Sequence, residues 1–145
     1  MEKTLAIIKP DAVERRITGK IILEIEDFGF HIVDMKMAYL NKNYAGWFYD
    51  EHKGKPFFGR LVDFMSSGAC VFLVLEKKNA IGDWRKAMGP TSIDDAQYDP
   101  HSIRGKFGLL AKPLHENVVH GSDSPEAAFR ELTFFYDDIF YFRGG

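Results

Sequence analysis

The chain has 145 residues, 46% of them hydrophobic, and sets 19 Lys and Arg against 21 Asp and Glu for a formal net charge of −2. So even a balance excludes a general attraction to nucleic acid or to anionic membranes, and any anion it binds must meet locally grouped cations. The single cysteine, Cys70, excludes an internal disulfide and fits a reducing compartment.

A chain of this length suits one domain that buries roughly 68–70% of its unfolded surface without covalent staples. No apolar run approaches the ~20 residues that cross a bilayer. The opening MEKTLAIIKPDA lacks a basic region followed by a long apolar stretch, so the expected location is the cytoplasm.

TLAIIKP reads as a short buried strand closed by Pro10. Asp11 and Glu14 then form a capping pattern for a brief helical turn. In GKIILEIEDFGF, which follows Thr18, the positions Ile21, Ile22, Ile25 and Phe28 keep helical spacing, and Gly29 is a natural stop. HIVDMKMAYL alternates: Val33, Met35, Met37 and Tyr39 point one way, Asp34 and Lys36 the other. That pattern predicts a strand whose apolar side is buried.

Two short helices are expected next, from about Asn43 to His52 and from about Phe58 to Ser66, with Leu61, Val62 and Met65 as the apolar stripe of the second. ACVFLVLE is a continuous apolar run, as a central strand covered on both faces requires, and it makes Cys70 a small buried hydrophobe. Asn79 is placed to cap a helix with inner positions Ile81, Trp84 and Met88, ended by Gly89. The polar stretch PTSIDDAQYDPHS has the length of a functional or a disordered loop. After VVH, Ser124 and Pro125 read as the N-cap and first residue of a last helix. Strands alternating with helices call for a sheet layered with helices, and the ferredoxin-like arrangement is the natural candidate at this length.

NVVHGSDSPEAAFRELTFF sets His120 between an apolar run and a Gly, Ser and Asp cluster. In the helix that follows, Glu131 falls on the same stripe as Ala128, Leu132 and Phe135. A carboxylate on a buried face is costly unless paired, and His120 ends the strand feeding this helix. Such a pair would fix the imidazole tautomer and leave the other nitrogen as nucleophile or base. Equally open on spacing alone is a Glu131 that reaches water as a boundary residue. Asp123 reads as a turn residue. HGSDS also invites a serine nucleophile, but the G-x-S-x-G elbow is absent and Ser124 is taken up by capping.

Candidate cations are Lys9 at the first strand's end, Arg85 in AIGDWRKAM and Arg104 in HSIRGKFG. A guanidinium matches phosphate oxygens with a fixed fork of donors. Each alone is a solvated charge; together they matter if they converge on His120. No P-loop or dinucleotide-binding glycine motif is present, so a phosphate site here must be built from side chains. Tyr49 and Phe57 either stack on a base or belong to the core.

Taken together, NVVHGSDS closely resembles the signature of nucleoside diphosphate kinases, and AIIKPDAV, KPFFGRLVDFMSSG, WRKAMGPT and SIRGKFG fall in the same order near the same spacing. The resemblance implies an α+β fold, a ferredoxin-like antiparallel sheet covered by helices, as a single domain across residues 1–145. It implies transfer of the terminal phosphate of a nucleoside triphosphate, typically ATP, to a nucleoside diphosphate through a phosphohistidine, with broad base tolerance. His120 is then phosphorylated on Nδ1, Glu131 bonds the other ring nitrogen and Ser122 supports that carboxylate. Lys9, Tyr49 and Asn117 match residues around the histidine, phosphates and sugar. Arg85, Thr91 and Arg104 match binders of the outer phosphates, and Phe57 matches the ring under the base. Mg²⁺ would be held mainly by the nucleotide, with no direct protein ligand set. A homo-oligomer built from dimers is expected. Lys55 stands where arginine is frequent, the Thr91–Arg104 loop and GLLAKPLHE are long, and the tail after Phe135 is short. The alternatives are a non-catalytic nucleotide-binding scaffold of the same fold and a histidine-based phosphatase.

Overall fold

In the computed structural model, which describes residues 1–137, the first strand β1 (Glu2–Ile8) runs between two neighbours and is apolar on both sides. Helices α1 (Pro10–Glu14) and α2 (Thr18–Asp27) follow, then β2 (His31–Tyr39), α3 (Lys42–Phe48), a 3₁₀ turn (Asp50–His52) and α4 (Phe58–Met65). The chain continues through β3 (Ala69–Lys77), α5 (Ala80–Met88), α6 (Ile93–Ala96), α7 (Ile103–Phe107), β4 (Val119–Gly121) and α8 (Pro125–Tyr136). The four strands form one sheet in the order β2-β3-β1-β4, each pair antiparallel. Residues 138–145, most of the tail after Phe135, lie outside the described residues.

Alternation along β1 supplies both cores. Ala6 and Ile8 pack with Ile21, Ile25, Trp84 and Met88 on one face, while Leu5 and Ile7 pack with Phe48, Leu61, Met65 and Phe135 on the other. Helices therefore cover both sides of an antiparallel sheet. The run from Cys70 to Leu75 in β3 is buried throughout, as its composition predicts. Ser124 caps α8 by accepting from the Ala127 N–H at 3.0 Å, with Pro125 at the first turn. No helix among the described residues is long and apolar enough to cross a membrane.

Three local expectations are corrected. The two faces of β2 are as the alternation predicts, but the buried one is the other. Val33, Met35, Met37 and Tyr39 are 38, 48, 57 and 45% exposed, whereas Ala38 is buried and Lys36 lies over the Phe135 ring with its amine bonded to the Phe135 carbonyl. Met35 and Met37 pair with Leu73 and Val71, yet stay about half exposed while those β3 partners are buried. Periodicity identifies a face but not what covers it. A bulge between Ile32 and Asp34 adds to the irregularity of this edge strand. Asp11 and Glu14 form no cap on α1, because the Asp11 carboxylate is engaged elsewhere. Asn79 makes no side-chain cap bond on α5 and reaches Asp83 instead, at 3.4 Å.

The polar loop after α5 is ordered. Gly89 opens it at φ +83°, and a Cβ there would meet the Ser102 Oγ at 2.4 Å. Ser102 accepts from the Gly105 N–H at 2.9 Å and so starts α7 against the end of α5. At the far edge, Gly121 of β4 lies flat on Trp84: a Cβ would stand 2.4 Å from its Cδ1 and 2.7 Å from the Met88 Cε. Trp84 is fully buried and donates from Nε1 to the His120 carbonyl at 3.1 Å. Gly121→Ala is therefore expected to cost about 1–3 kcal/mol by overpacking, read as a lowered midpoint in urea denaturation.

Candidate active site

The peptide that places His120 is strained just before it. Val118 has φ +78°, a conformation that a β-branched residue rarely adopts and that costs of order 1–3 kcal/mol. Two long-range bonds hold it: its N–H donates to the Asp11 Oδ2 at 3.1 Å, and its carbonyl accepts from the Lys9 N–H at 2.9 Å. The end of β1 and the start of α1 thus clamp the entrance to β4. His120 then pairs opposite Ile7 in the sheet.

The imidazole is gripped on one nitrogen. Its Nε2 lies 2.7 Å from the Glu131 Oε1, and the same oxygen accepts from the Ser122 hydroxyl at 3.1 Å. Ser122 in turn accepts from the Leu5 N–H at 3.4 Å. Glu131 is 2% exposed, so a carboxylate there requires its donors. A carboxylate accepts only, which puts the imidazole proton on Nε2 and leaves a lone pair on Nδ1. Phe48 and Tyr49 set ring edges against the imidazole, at centroid distances of 5.4 and 5.9 Å.

His120 faces a cleft of about 270 Å³ whose lining includes Lys9, Arg85, Thr91, Arg104 and Asn117. The three cations do converge, on unequal terms. Lys9 is buried and donates to the Asn117 Oδ1 at 2.6 Å and the His115 carbonyl at 3.2 Å. Burial, with Arg104 nearby, pulls its pKa from 10.5 down to about 7. Arg104 is buried and directs donors to the carbonyls of Asn117, Gly89 and Val119 at 3.1, 2.9 and 2.7 Å. Burial, then Arg85, lowers its pKa to about 10, which leaves it charged at neutral pH. Arg85 is half exposed and ion-paired with Asp123. Asn117 joins these parts, donating from Nδ2 to the Thr91 carbonyl at 2.8 Å.

The remaining sequence candidates sit behind or beside the cleft. Tyr49 is buried next to His120 with a hydroxyl that has no hydrogen-bond partner among the described residues. Burial raises its pKa well above 10.0, so it stays an O–H donor without an acceptor. Phe57 does not line the cleft; it is 43% exposed at the start of α4. His52 bridges the gap, stacked with Tyr49 at 6.4 Å and tilted on Phe57 at 5.4 Å, so a row of rings runs outward from the imidazole.

Sequence reasoning missed three contributors. His52 lies beside the quoted aromatics but has no spacing that marks it. The clamp made by Asp11 acts on a residue 107 positions away. Asp123 reads as a turn residue and instead pairs with Arg85.

A ring nitrogen with a free lone pair, at a cleft walled by Lys9, Arg85 and Arg104, has the makings of a group-transfer site for an anion. The comparisons agree with that class. Residues 2–139 match the family model described as nucleoside diphosphate kinase. A Pelobacter propionicus nucleoside diphosphate kinase is 53% identical over 139 residues, covering 96% of this chain and 98% of its own length. The Geobacter sulfurreducens protein of the same name is 50% identical over equal coverage. An orthorhombic crystal form of the Aquifex aeolicus nucleoside diphosphate kinase superposes with a TM-score of 0.89 at 42% identity, over 95% of this chain and 96% of that one. The chain belongs to the nucleoside diphosphate kinase family, and its sheet is the ferredoxin-like α+β fold.

The lowered pKa of Lys9 has a consequence for stability. Between pH 7 and 10.5 an unfolded lysine holds a proton that folded Lys9 has released. The unfolded state then binds more protons, so this group's contribution to stability rises with pH across that window. Denaturation midpoints measured from pH 7 to 10 should climb more steeply in the unmodified protein than in Lys9→Met.

Proposed function

We propose that the protein transfers the terminal phosphoryl group of a nucleoside triphosphate to a nucleoside diphosphate, with His120 as the covalent carrier. The observation that carries this reading is the 2.7 Å bond from His120 Nε2 to buried Glu131, which leaves Nδ1 as the nucleophile beside Lys9, Arg85 and Arg104. The Nδ1 lone pair attacks the terminal phosphorus, the bond from that phosphorus to its bridging oxygen breaks, and the diphosphate leaves with the electron pair. Nε2 keeps its proton, and Glu131 stabilises the positive charge that grows on the ring. Ser122 holds Glu131 in place. The second half-reaction runs in reverse onto a new diphosphate, so one site serves both nucleotides in turn.

Lys9, Arg85 and Arg104 neutralise charge that spreads over the phosphoryl oxygens. Thr91 and Asn117 complete this wall, and the unpartnered Tyr49 hydroxyl suits a phosphate or sugar oxygen. Phe57, exposed at the end of the ring row, offers a face for any base. Stacking without a polar edge to read gives broad base tolerance. Among the described residues, Asp123 is the carboxylate on the cleft wall and no three His, Cys, Asp or Glu side chains are grouped to hold a metal ion. That donor set fits a magnesium ion carried in on the nucleotide, where it would neutralise phosphate charge. We take residues 1–145 as one domain of this kind, working in the cytoplasm.

The test is direct. Incubation with γ-labelled ATP should give an acid-labile, base-stable label that chases into added dTDP, and His120→Ala should give none. A label retained in His120→Ala rejects the assignment. Glu131→Gln keeps the shape and an acceptor oxygen but removes the negative charge that stabilises the ring, and should lower kcat by about 5- to 150-fold, equivalent to about 1–3 kcal/mol.

A homo-oligomer with a dimeric core also fits. The exposed row of Val33, Met35, Met37 and Tyr39 lies on β2, whose outer edge is unpaired among the described strands, and such an edge is a template for a second copy. If this row is the contact, Met35→Glu with Met37→Glu should lower the molar mass in sedimentation equilibrium and leave the circular dichroism spectrum unchanged.

A further inference from the structure

We propose that Asp123 is a positioning residue that holds Arg85 across the mouth of the cleft while no polyphosphate is bound, and gives it up when one arrives. The inference rests on the reading of Arg85 as a phosphate-binding group. It starts from the inequality among the cations. Lys9 and Arg104 are buried and tied to Asn117 and to backbone carbonyls, so their positions are set by the fold. Arg85 is different. Its side chain is 49% exposed, that of its partner Asp123 is 68% exposed, and both line the cleft. Its described contact is one nitrogen on one carboxylate oxygen, not the two-pronged pairing a guanidinium can make.

A pair this exposed is weak, so it breaks readily. It still has two effects on an incoming anion. The guanidinium must leave Asp123 before it can turn all its donors to phosphate, and the freed carboxylate then stands close to like charge. Both weaken binding of the nucleotide, and both favour its departure. In a reaction where each product must leave before the next substrate can enter the same cleft, a recaptured Arg85 hastens turnover. Asp123 is placed for this by β4, three residues beyond His120, and Arg85 by the last turn of α5.

A double-mutant cycle on the full-length protein tests the proposal, with ADP affinity measured by calorimetry in Asp123→Asn, Arg85→Ala and the double variant. Asp123→Asn should bind ADP about 2- to 5-fold more tightly, with KM lowered and kcat unchanged or reduced, and Asp123→Glu should restore the original values. In the Arg85→Ala background the tightening should disappear. Equal tightening with and without Arg85 would mean simple charge repulsion and overturn the proposal, as would unchanged or weaker binding in Asp123→Asn. Asp123→Ser serves as a second variant, read the same way, should the asparagine perturb the turn. Failure of the unmodified protein to form phosphohistidine would instead strike the catalytic reading, since the cycle reads binding alone.

Discussion

Glu131 is an acid kept almost wholly out of water, and the site is arranged around satisfying it. A carboxylate so placed demands donors, and the two it receives are the His120 imidazole and the Ser122 hydroxyl. That demand orients the ring, decides which nitrogen carries the proton and turns the other toward the cleft. The acid is placed by α8, the ring by β4, and Ser122 by the turn between them. One short segment of chain therefore contains both ends of the bond, and the Leu5 N–H ties it to the central strand.

The cationic wall of the cleft follows a different logic. With no glycine-rich loop to present backbone N–H groups, charge has to come from side chains, and charged side chains drift unless the fold restrains them. Arg104 is restrained by carbonyls, Lys9 by Asn117 and the His115 carbonyl, and Arg85 by another side chain. Restraint by burial has an electrical cost, visible in the depressed pKa values of Lys9 and Arg104. Mutual repulsion adds to it. An anion entering the cleft relieves both, so the empty site is set against itself in a way that favours its ligand.

Much of this was legible from the residues. Helical spacing put Glu131 on the buried stripe of α8, and chain order put His120 at the strand that feeds it. Buried runs such as that of β3 and caps such as Ser124 also read correctly, because each depends on neighbours within a few positions. What failed were features set by distant partners. The Asp11 carboxylate has the spacing of a local cap and instead secures Val118, 107 positions away. The apolar row on β2 has the pattern of core and is exposed, because alternation reports a face and says nothing of what covers it. Convergence of Lys9, Arg85 and Arg104 could be posed from the sequence as a question, and only the fold answers it.

The strand that bears the imidazole is only three residues long and, among the described strands, sits at the edge of the sheet and pairs solely with β1. Its neighbour β1 shares a much longer ladder with β3. Local opening takes least free energy where backbone pairing is sparse. Warming should therefore silence this catalyst before it melts: β4 can peel away, carrying the ring out of register with the cations, while the rest of the sheet remains intact. Heat tolerance of the activity and heat tolerance of the fold are then separate quantities, and the few residues gripping that strand set the lower of the two.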